Sequence, residues 1–276
     1  MTGERERVAI VSGGATLLGE AIVTAFVAEG YYVALADIDS GSGERVAAMN
    51  DRVRFFACDV TREPAIEATV EAVVAWRGGI DAVVNMAATY ADPGLDASGE
   101  AWLRSLQVNV VGTALMIRAA RRHLAQSPDG AIVNICSVSA DRAQPGKLLY
   151  PAGKAAVGQL TRNLALELAP EGVRVNAVSP SWVWSAPMER LSDGDRRLAD
   201  EVASGFHMLE RMARPSEVAD AVTFLCSRRA SFITGEDLHV DGGYSALSPE
   251  GKVNPWAAQR ARTLPSQTAV ERNPRT

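Results

Sequence analysis

Histidine and cysteine are scarce in this chain: three of each among 276 residues, scattered along its length. A structural zinc needs clustered nitrogen or sulfur ligands, and Cys58, Cys136, Cys226, His123, His207 and His239 form no CxxC knuckle and no HxxxH pair. No metal site is expected. The odd cysteine count and the apolar surroundings of each thiol argue against a disulfide framework, so the three read as buried free thiols. Long apolar runs are missing too. The opening Met1-Thr2-Gly3-Glu4-Arg5-Glu6-Arg7 passes straight into Val8-Ala9-Ile10-Val11, and no stretch reaches membrane-spanning length. A cytoplasmic protein without membrane association is the expectation. Nor is there an excess of positive charge. With 28 Lys and Arg against 33 Asp and Glu, a net charge of −5, non-specific binding of nucleic acid has no electrostatic support.

What is present is a large apolar fraction, 47% against 22% charged residues, enough for a substantial core. Short β-branched runs near 7–12, 32–36, 53–57, 80–85, 131–136, 173–178 and 237–240 alternate with stretches whose apolar residues recur at three and four. Strands that are apolar throughout are buried on both faces, which requires helices above and below a parallel sheet. The fold class predicted is α/β, a doubly wound single sheet, in one domain over 1–246. Beyond Ala246 the character changes. Residues 247–276 carry four prolines and five basic residues against two acidic ones, a composition expected of a poorly ordered extension. A docked turn around Trp256 is the lesser alternative.

Chemistry concentrates at Tyr150 and Lys154, four residues apart, with Ser137 at the end of the apolar run Ala131-Ile132-Val133-Asn134-Ile135-Cys136. On a helix, i and i+4 share a face, so the Lys154 ammonium is expected to lie beside the Tyr150 phenol and favour its ionised form. Taken alone, such a pair is more often an exposed amphipathic couple. A second constellation argues otherwise. Ser12-Gly13-Gly14-Ala15-Thr16-Leu17-Leu18-Gly19 lies between the first strand and first helix, where glycines admit a pyrophosphate and the helix N-terminus faces it. Asp37, eighteen residues past Gly19 at the tip of the second strand, can accept both hydroxyls of an adenosine ribose and repels a 2′-phosphate. That points to NAD as cofactor.

With these motifs the chain resembles the short-chain dehydrogenase/reductase family over about residues 7–246. The matching positions are the glycine loop, Asp59-Val60, Asn85-Met86-Ala87-Ala88, Asn109, Ser137, Tyr150 with Lys154, Pro180-Ser181-Trp182-Val183, and Ile233-Thr234-Gly235 through Val240-Asp241-Gly242-Gly243. The resemblance implies catalysis by Asn109, Ser137, Tyr150 and Lys154. It implies a cofactor held by Gly13, Thr16, Leu17, Leu18, Gly19, Asp37, Ile38, Asp59, Val60, Asn85 and Ala87, by Tyr150 and Lys154 themselves, and by Pro180, Trp182, Val183 and Ser185. Substrate is expected against Ser137, Ser139, Gln144, Tyr150, Trp182, Trp184 and Met188, with Tyr90 a candidate neighbour, under a variable lid at 185–212. Four positions depart from the pattern: Leu17, Ala88 and Ser181 replace glycines, and Gly153 replaces a common serine.

The activity implied is hydride transfer between a secondary alcohol and NAD, with Tyr150 as general acid/base, on a small and apolar or aromatic substrate. Alternatives are a 3-ketoacyl-thioester reductase, which Asp37 disfavours, and a non-catalytic NAD-sensing protein. A homotetramer is also implied.

Overall fold

The computed structural model describes residues 6–248 and 251–252, so most of the Pro- and Arg-rich extension, with Trp256, lies outside the described residues. All seven strands read from apolar runs are present, each within a few residues of its expected bounds. They are β1 (Val8–Ser12), β2 (Tyr32–Asp37), β3 (Val53–Ala57), β4 (Ala82–Asn85), β5 (Ala131–Ile135), β6 (Arg174–Pro180) and β7 (Asp237–Val240). The helices between them are α1 (Leu17–Ala28), α2 (Ser40–Ala47), α3 (Glu63–Arg77), α4 (Gly99–Leu106), α5 (Gly112–Leu124), α6 (Leu149–Leu168), α7 (Ala186–Leu191), α8 (Arg196–Ser204) and α9 (Pro215–Cys226).

Every strand pair is parallel, in the order β3-β2-β1-β4-β5-β6-β7. Alternation within the strands explains why both faces are covered. Ala9, Val11, Val33, Leu35 and Val84 face Ile22 and Phe26 of α1 and Val218 and Val222 of α9. Their neighbours Val8, Ile10, Ala34 and Val83 face Ile66 and Val70 of α3 and Met116 and Ile117 of α5. All these side chains are essentially inaccessible, which is the condition under which apolar strands gain most from burial. The expected doubly wound sheet is therefore the observed one.

The chain crosses from one half of the sheet to the other between β1 and β4, whose ends meet at the pair Ser12–Asn85. In open parallel sheets such a crossover leaves a crevice beyond the strands' carboxyl ends. The glycine loop, Asn85, Ser137 and the loop after Pro180 all fall there. The three cysteines are free and buried, as read from their surroundings.

Candidate active site

Gly13 takes a left-handed φ of +76°, and a Cβ there would stand 2.6 Å from both Cα and N of Ala87. The loop can pass this close to the end of β4 only without a side chain. Gly19 is equally constrained, because a Cβ would meet the Gly14 carbonyl oxygen at 2.4 Å. Thr16 caps α1 by accepting from the Gly19 amide (3.1 Å). Leu17, which replaces a glycine, begins α1 with 39% exposure, so its side chain turns outward and the loop keeps its path. Leu18 packs inward.

Asp37 ends β2 with one carboxylate oxygen accepting from Ala15 N (2.9 Å) and the other from Asp39 N (3.0 Å). Its charge is thereby fixed over the glycine loop. Ile38 beside it is 67% exposed. Asp59 accepts from the Thr61 hydroxyl (2.7 Å) and amide (2.9 Å), and these bonds, hydroxyl first, hold its carboxyl below the usual range. Val60 is buried against α5, where a Cβ on Gly112 would reach the Val60 carbonyl at 2.8 Å.

Asn85 is 4% exposed. Its Nδ2 donates to Asn134 Oδ1 (2.9 Å), and Asn134 Nδ2 donates to Thr161 Oγ1 (2.9 Å), tying β4 and β5 to α6. Asn85 Oδ1 is left without a partner. An orphaned acceptor beside a glycine-bearing loop, a capped helix N-terminus and a fixed carboxylate suit a dinucleotide. The residues fit such a cofactor.

At the far end of the crevice, Ser137 and Tyr150 meet. Ser137 Oγ donates to Ser139 Oγ (3.2 Å), and Ser139 Oγ donates to Gln144 Oε1 (3.0 Å), so these three form one hydrogen-bonded row. Of the groups around the Tyr150 phenol, Ser137 is the one that pulls its pKa down. Asn109 lies in a π-helical turn (Gln107–Val111) joining α4 to α5. Its side chain accepts from Thr89 N (2.9 Å) and donates to Thr89 O (3.3 Å) and Ser105 Oγ (3.2 Å). A Cβ at Gly153 would come within 3.3 Å of Asn109 Cβ, a tight contact.

Lys154 is 3% exposed, and Nζ donates to the Ile135 carbonyl (2.6 Å) at 5.6 Å from the centre of the Tyr150 ring. Burial pulls its pKa down to about 8. The expectation that Lys154 lowers the Tyr150 pKa needs correction for this arrangement. Burial, followed by like charge from Tyr90, raises Tyr150 well above its ordinary value, with only Ser137 acting the other way. The physical reason is orientation: the ammonium serves a backbone carbonyl, and desolvation of the phenolate dominates.

The segment 185–212, expected as a lid, contains α7 and α8. Trp182, Trp184 and Met188 pack against Ala199, Ala203 and Met212, which places these expected substrate residues around the lid's own small core. Val183 forms a bridge with Ala213, and Pro180 closes β6. Ser185 stands at the N-cap of α7, yet its side chain makes no capping bond. Ser181, where a glycine was expected, hydrogen-bonds His207 Nε2 (2.8 Å) and so ties the lid to the loop after β6.

One residue that sequence reasoning did not assign belongs here, and with it one named only as a candidate neighbour. Asp92 accepts from Leu148 N (2.8 Å) and Tyr150 N (3.0 Å) and so caps α6 from another loop. Its only sequence signal was an Asp-Pro-Gly triplet, which reads as a turn. Tyr90, a candidate neighbour only, lies directly on Tyr150, with ring centroids 4.9 Å apart.

Comparison with known proteins agrees with this architecture. Residues 13–245 match the family model described as enoyl-(acyl carrier protein) reductase. The chain is 35% identical over 247 residues to cis-4-hydroxycyclohexanecarboxylate dehydrogenase of Sinomonas cyclohexanicum, covering 88% of this chain and 98% of that protein. It is 36% identical over 246 residues to D-threitol dehydrogenase of Mycolicibacterium smegmatis, covering 87% and 93%. Among solved structures, a 3-ketoacyl-(acyl-carrier-protein) reductase from Brucella melitensis complexed with NADH superposes with a TM-score of 0.78 at 32% identity, over 87% of this chain and 99% of that one. ElxO with NADP bound superposes with a TM-score of 0.81 at 26% identity, over 88% and 100%. The chain belongs to the short-chain dehydrogenase/reductase family. It is an oxidoreductase that uses a nicotinamide cofactor, and among the described residues no helix is long and apolar enough to cross a membrane.

Proposed function

We propose that the protein interconverts a secondary alcohol and a ketone with NAD as hydride acceptor and donor. The observation that carries this reading is the convergence of Tyr150, Ser137 and Lys154 at the carboxyl end of the sheet, on the same crevice as the glycine loop. When bound, the nicotinamide supplies the hydride acceptor. The chain's own residues do the rest. In oxidation Tyr150 takes the substrate hydroxyl proton, and in reduction it returns that proton to the carbonyl oxygen. Ser137 donates a hydrogen bond to the same oxygen, where negative charge develops. Ser139 and Gln144 hold Ser137 in place and border the substrate. Lys154 holds the cofactor's ribose when it leaves the Ile135 carbonyl, which brings its positive charge to the phenol. Asn109 holds a water that links Lys154 to solvent.

The choice of NAD rests on Asp37, whose carboxylate is fixed over the loop and opposes a third phosphate. Gly13, Thr16, Leu17, Leu18 and Gly19 hold the pyrophosphate side. Ile38, Asp59, Val60, Asn85 and Ala87 line the adenosine side, and Pro180, Trp182, Val183 and Ser185 the nicotinamide side. The substrate is small and apolar, bordered by Trp182, Trp184 and Met188. That the relatives named above include a dehydrogenase of a cyclohexane carboxylate supports an alicyclic alcohol. We read residues 1–246 as one catalytic domain, cytoplasmic and homotetrameric, with 247–276 as an extension. The test is NAD reduction by purified protein against a panel of secondary alcohols, alicyclic ones included, repeated with NADP. Reduction of NAD but little NADP is expected. Turnover of 3-ketoacyl thioesters with NADPH alone would replace this reading with the reductase one.

A further inference from the structure

One buried histidine takes no part in the mechanism. His207, just past the end of α8, is 1% exposed, and both of its ring nitrogens are occupied: Nδ1 stands 2.8 Å from the Ala203 carbonyl oxygen and Nε2 stands 2.8 Å from Ser181 Oγ. A carbonyl oxygen only accepts, so Nδ1 carries the ring proton and Nε2 accepts from the Ser181 hydroxyl. That hydroxyl also stands 3.2 Å from the Asp241 carbonyl, and its one proton goes to the nearer acceptor. Close by in the chain, the Leu209 amide donates to the Gly242 carbonyl (3.1 Å). The end of the expected lid, the loop after β6 and the loop after β7 are thus tied together. Trp182, the residue after Ser181, shares this junction, with its ring centroid 6.0 Å from that of His207 and 5.2 Å from that of Phe206. Its own carbonyl accepts from Ala213 N (2.9 Å), and Tyr244 also packs on the imidazole (5.4 Å).

We propose that Ser181 and His207 are a matched pair of positioning residues, which sets the placement of Trp182 as a wall of the substrate pocket. This rests on the reading that Trp182 borders the nicotinamide and the substrate. Each half of the pair loses its partner without the other. A glycine at 181, the residue expected there from the family resemblance, would leave a buried imidazole nitrogen unpaired. An apolar residue at 207 would leave the Ser181 hydroxyl only its longer contact to Asp241. An imidazole anchored at both nitrogens cannot flip, and the indole packed against it at 70° is confined with it. The hydrogen bonds of the two side chains go to each other, Ala203 and Asp241, and not to Asn109, Ser137, Tyr150 or Lys154. The pair therefore acts on how substrate is held, through Trp182, and not on the proton step.

The test uses the full chain as wild type, Ser181→Ala, Ser181→Thr, His207→Phe and the double variant Ser181→Ala/His207→Phe. Ser181→Ala removes the hydroxyl and Ser181→Thr keeps it. Backbone hydrogen exchange over residues 203–213 is read without any ligand, so that result does not depend on knowing the alcohol. Exchange there should quicken roughly tenfold in Ser181→Ala, where a buried nitrogen is left unpaired, and stay at the wild-type rate in Ser181→Thr. For an alcohol that wild type oxidises, Ser181→Ala should raise KM roughly tenfold while kcat stays within about twofold, and Ser181→Thr should restore KM. In the His207→Phe background, Ser181→Ala should change neither exchange nor KM further. Exchange that is the same in wild type and Ser181→Ala, or effects that add in the double variant, overturn the pairing whether or not any alcohol is turned over. A KM that holds while exchange quickens overturns the pair's control of the pocket wall. A wild type that oxidises no secondary alcohol overturns the proposed activity and with it the role given to Trp182, and that failure is read from wild type alone.

Discussion

Replacing Gly13 with alanine tests how the cofactor loop is seated, and Gly30 supplies the control. Both glycines are left-handed, at φ +76° and +83°, but a Cβ at Gly30 meets nothing within 4 Å, whereas at Gly13 it stands 2.6 Å from Ala87 Cα and N. Each substitution carries the left-handed cost of a Cβ, about 1–2 kcal/mol. Gly13→Ala adds a contact with backbone, which cannot rotate away. Ordinary contact begins near 3.4 Å, so the loop must withdraw by the difference from 2.6 Å, most of an ångström. Overpacking of that kind costs about 1–3 kcal/mol more. At 2–4 °C per kcal/mol, Gly30→Ala should lower Tm by roughly 2–8 °C, and Gly13→Ala by roughly 4–20 °C. The functional consequence is sharper. Withdrawing the loop moves the backbone that would face the pyrophosphate, so Gly13→Ala should also lose most of the thermal shift produced by added NAD. The assay is a thermal melt of each variant with and without NAD. Equal melting temperatures for the two variants, with the NAD shift intact in both, would refute the close approach of loop and β4.

Three further outcomes follow from the same geometry. Asp37→Asn keeps the side chain's shape but removes the charge over the loop, and the preference for NAD over NADP should narrow roughly 10- to 100-fold in kcat/KM. Asp92→Ala strips the cap from α6, costing about 1 kcal/mol, and should lower kcat more than KM because Tyr150 sits in the first turn. Burial opposes ionisation of Asp92, but its bonds from the Tyr150, Leu148, Gly94 and Leu149 amides outweigh it and hold the carboxyl below the usual range. Its contribution is therefore complete at neutral pH and fades as acid protonates it, so denaturant stabilities of wild type and Asp92→Ala should converge at low pH.

The sheet was legible because strands buried on both faces are apolar throughout, and Val8–Ser12 or Ala131–Ile135 cannot be mistaken for exposed edges. The site was legible where chemistry demands a fixed residue type: a phenol and an amine one helical turn apart, a glycine where two backbones touch, a carboxylate at a strand tip. What stayed hidden depends on where side chains point across loops. Asp92 caps a helix 56 residues away from it, and no local pattern announces that. The inward turn of Lys154 to Ile135 and the burial that raises Tyr150 depend on packing that a 3.6-residue period does not encode. That a Cβ at Gly153 would crowd Asn109 is likewise written in no local pattern. Asn134 did leave a trace, as an amide inside the apolar run 131–136.

The central claim is that Tyr150 moves the proton that accompanies hydride transfer. Its most direct test is the single-turnover rate of NADH formation by Tyr150→Phe, on an alcohol that wild type oxidises. A rate lower by at least about 100-fold is expected from loss of a general base, with the NAD-induced thermal shift unchanged. A Tyr150→Phe enzyme that forms NADH at the wild-type rate would contradict the account.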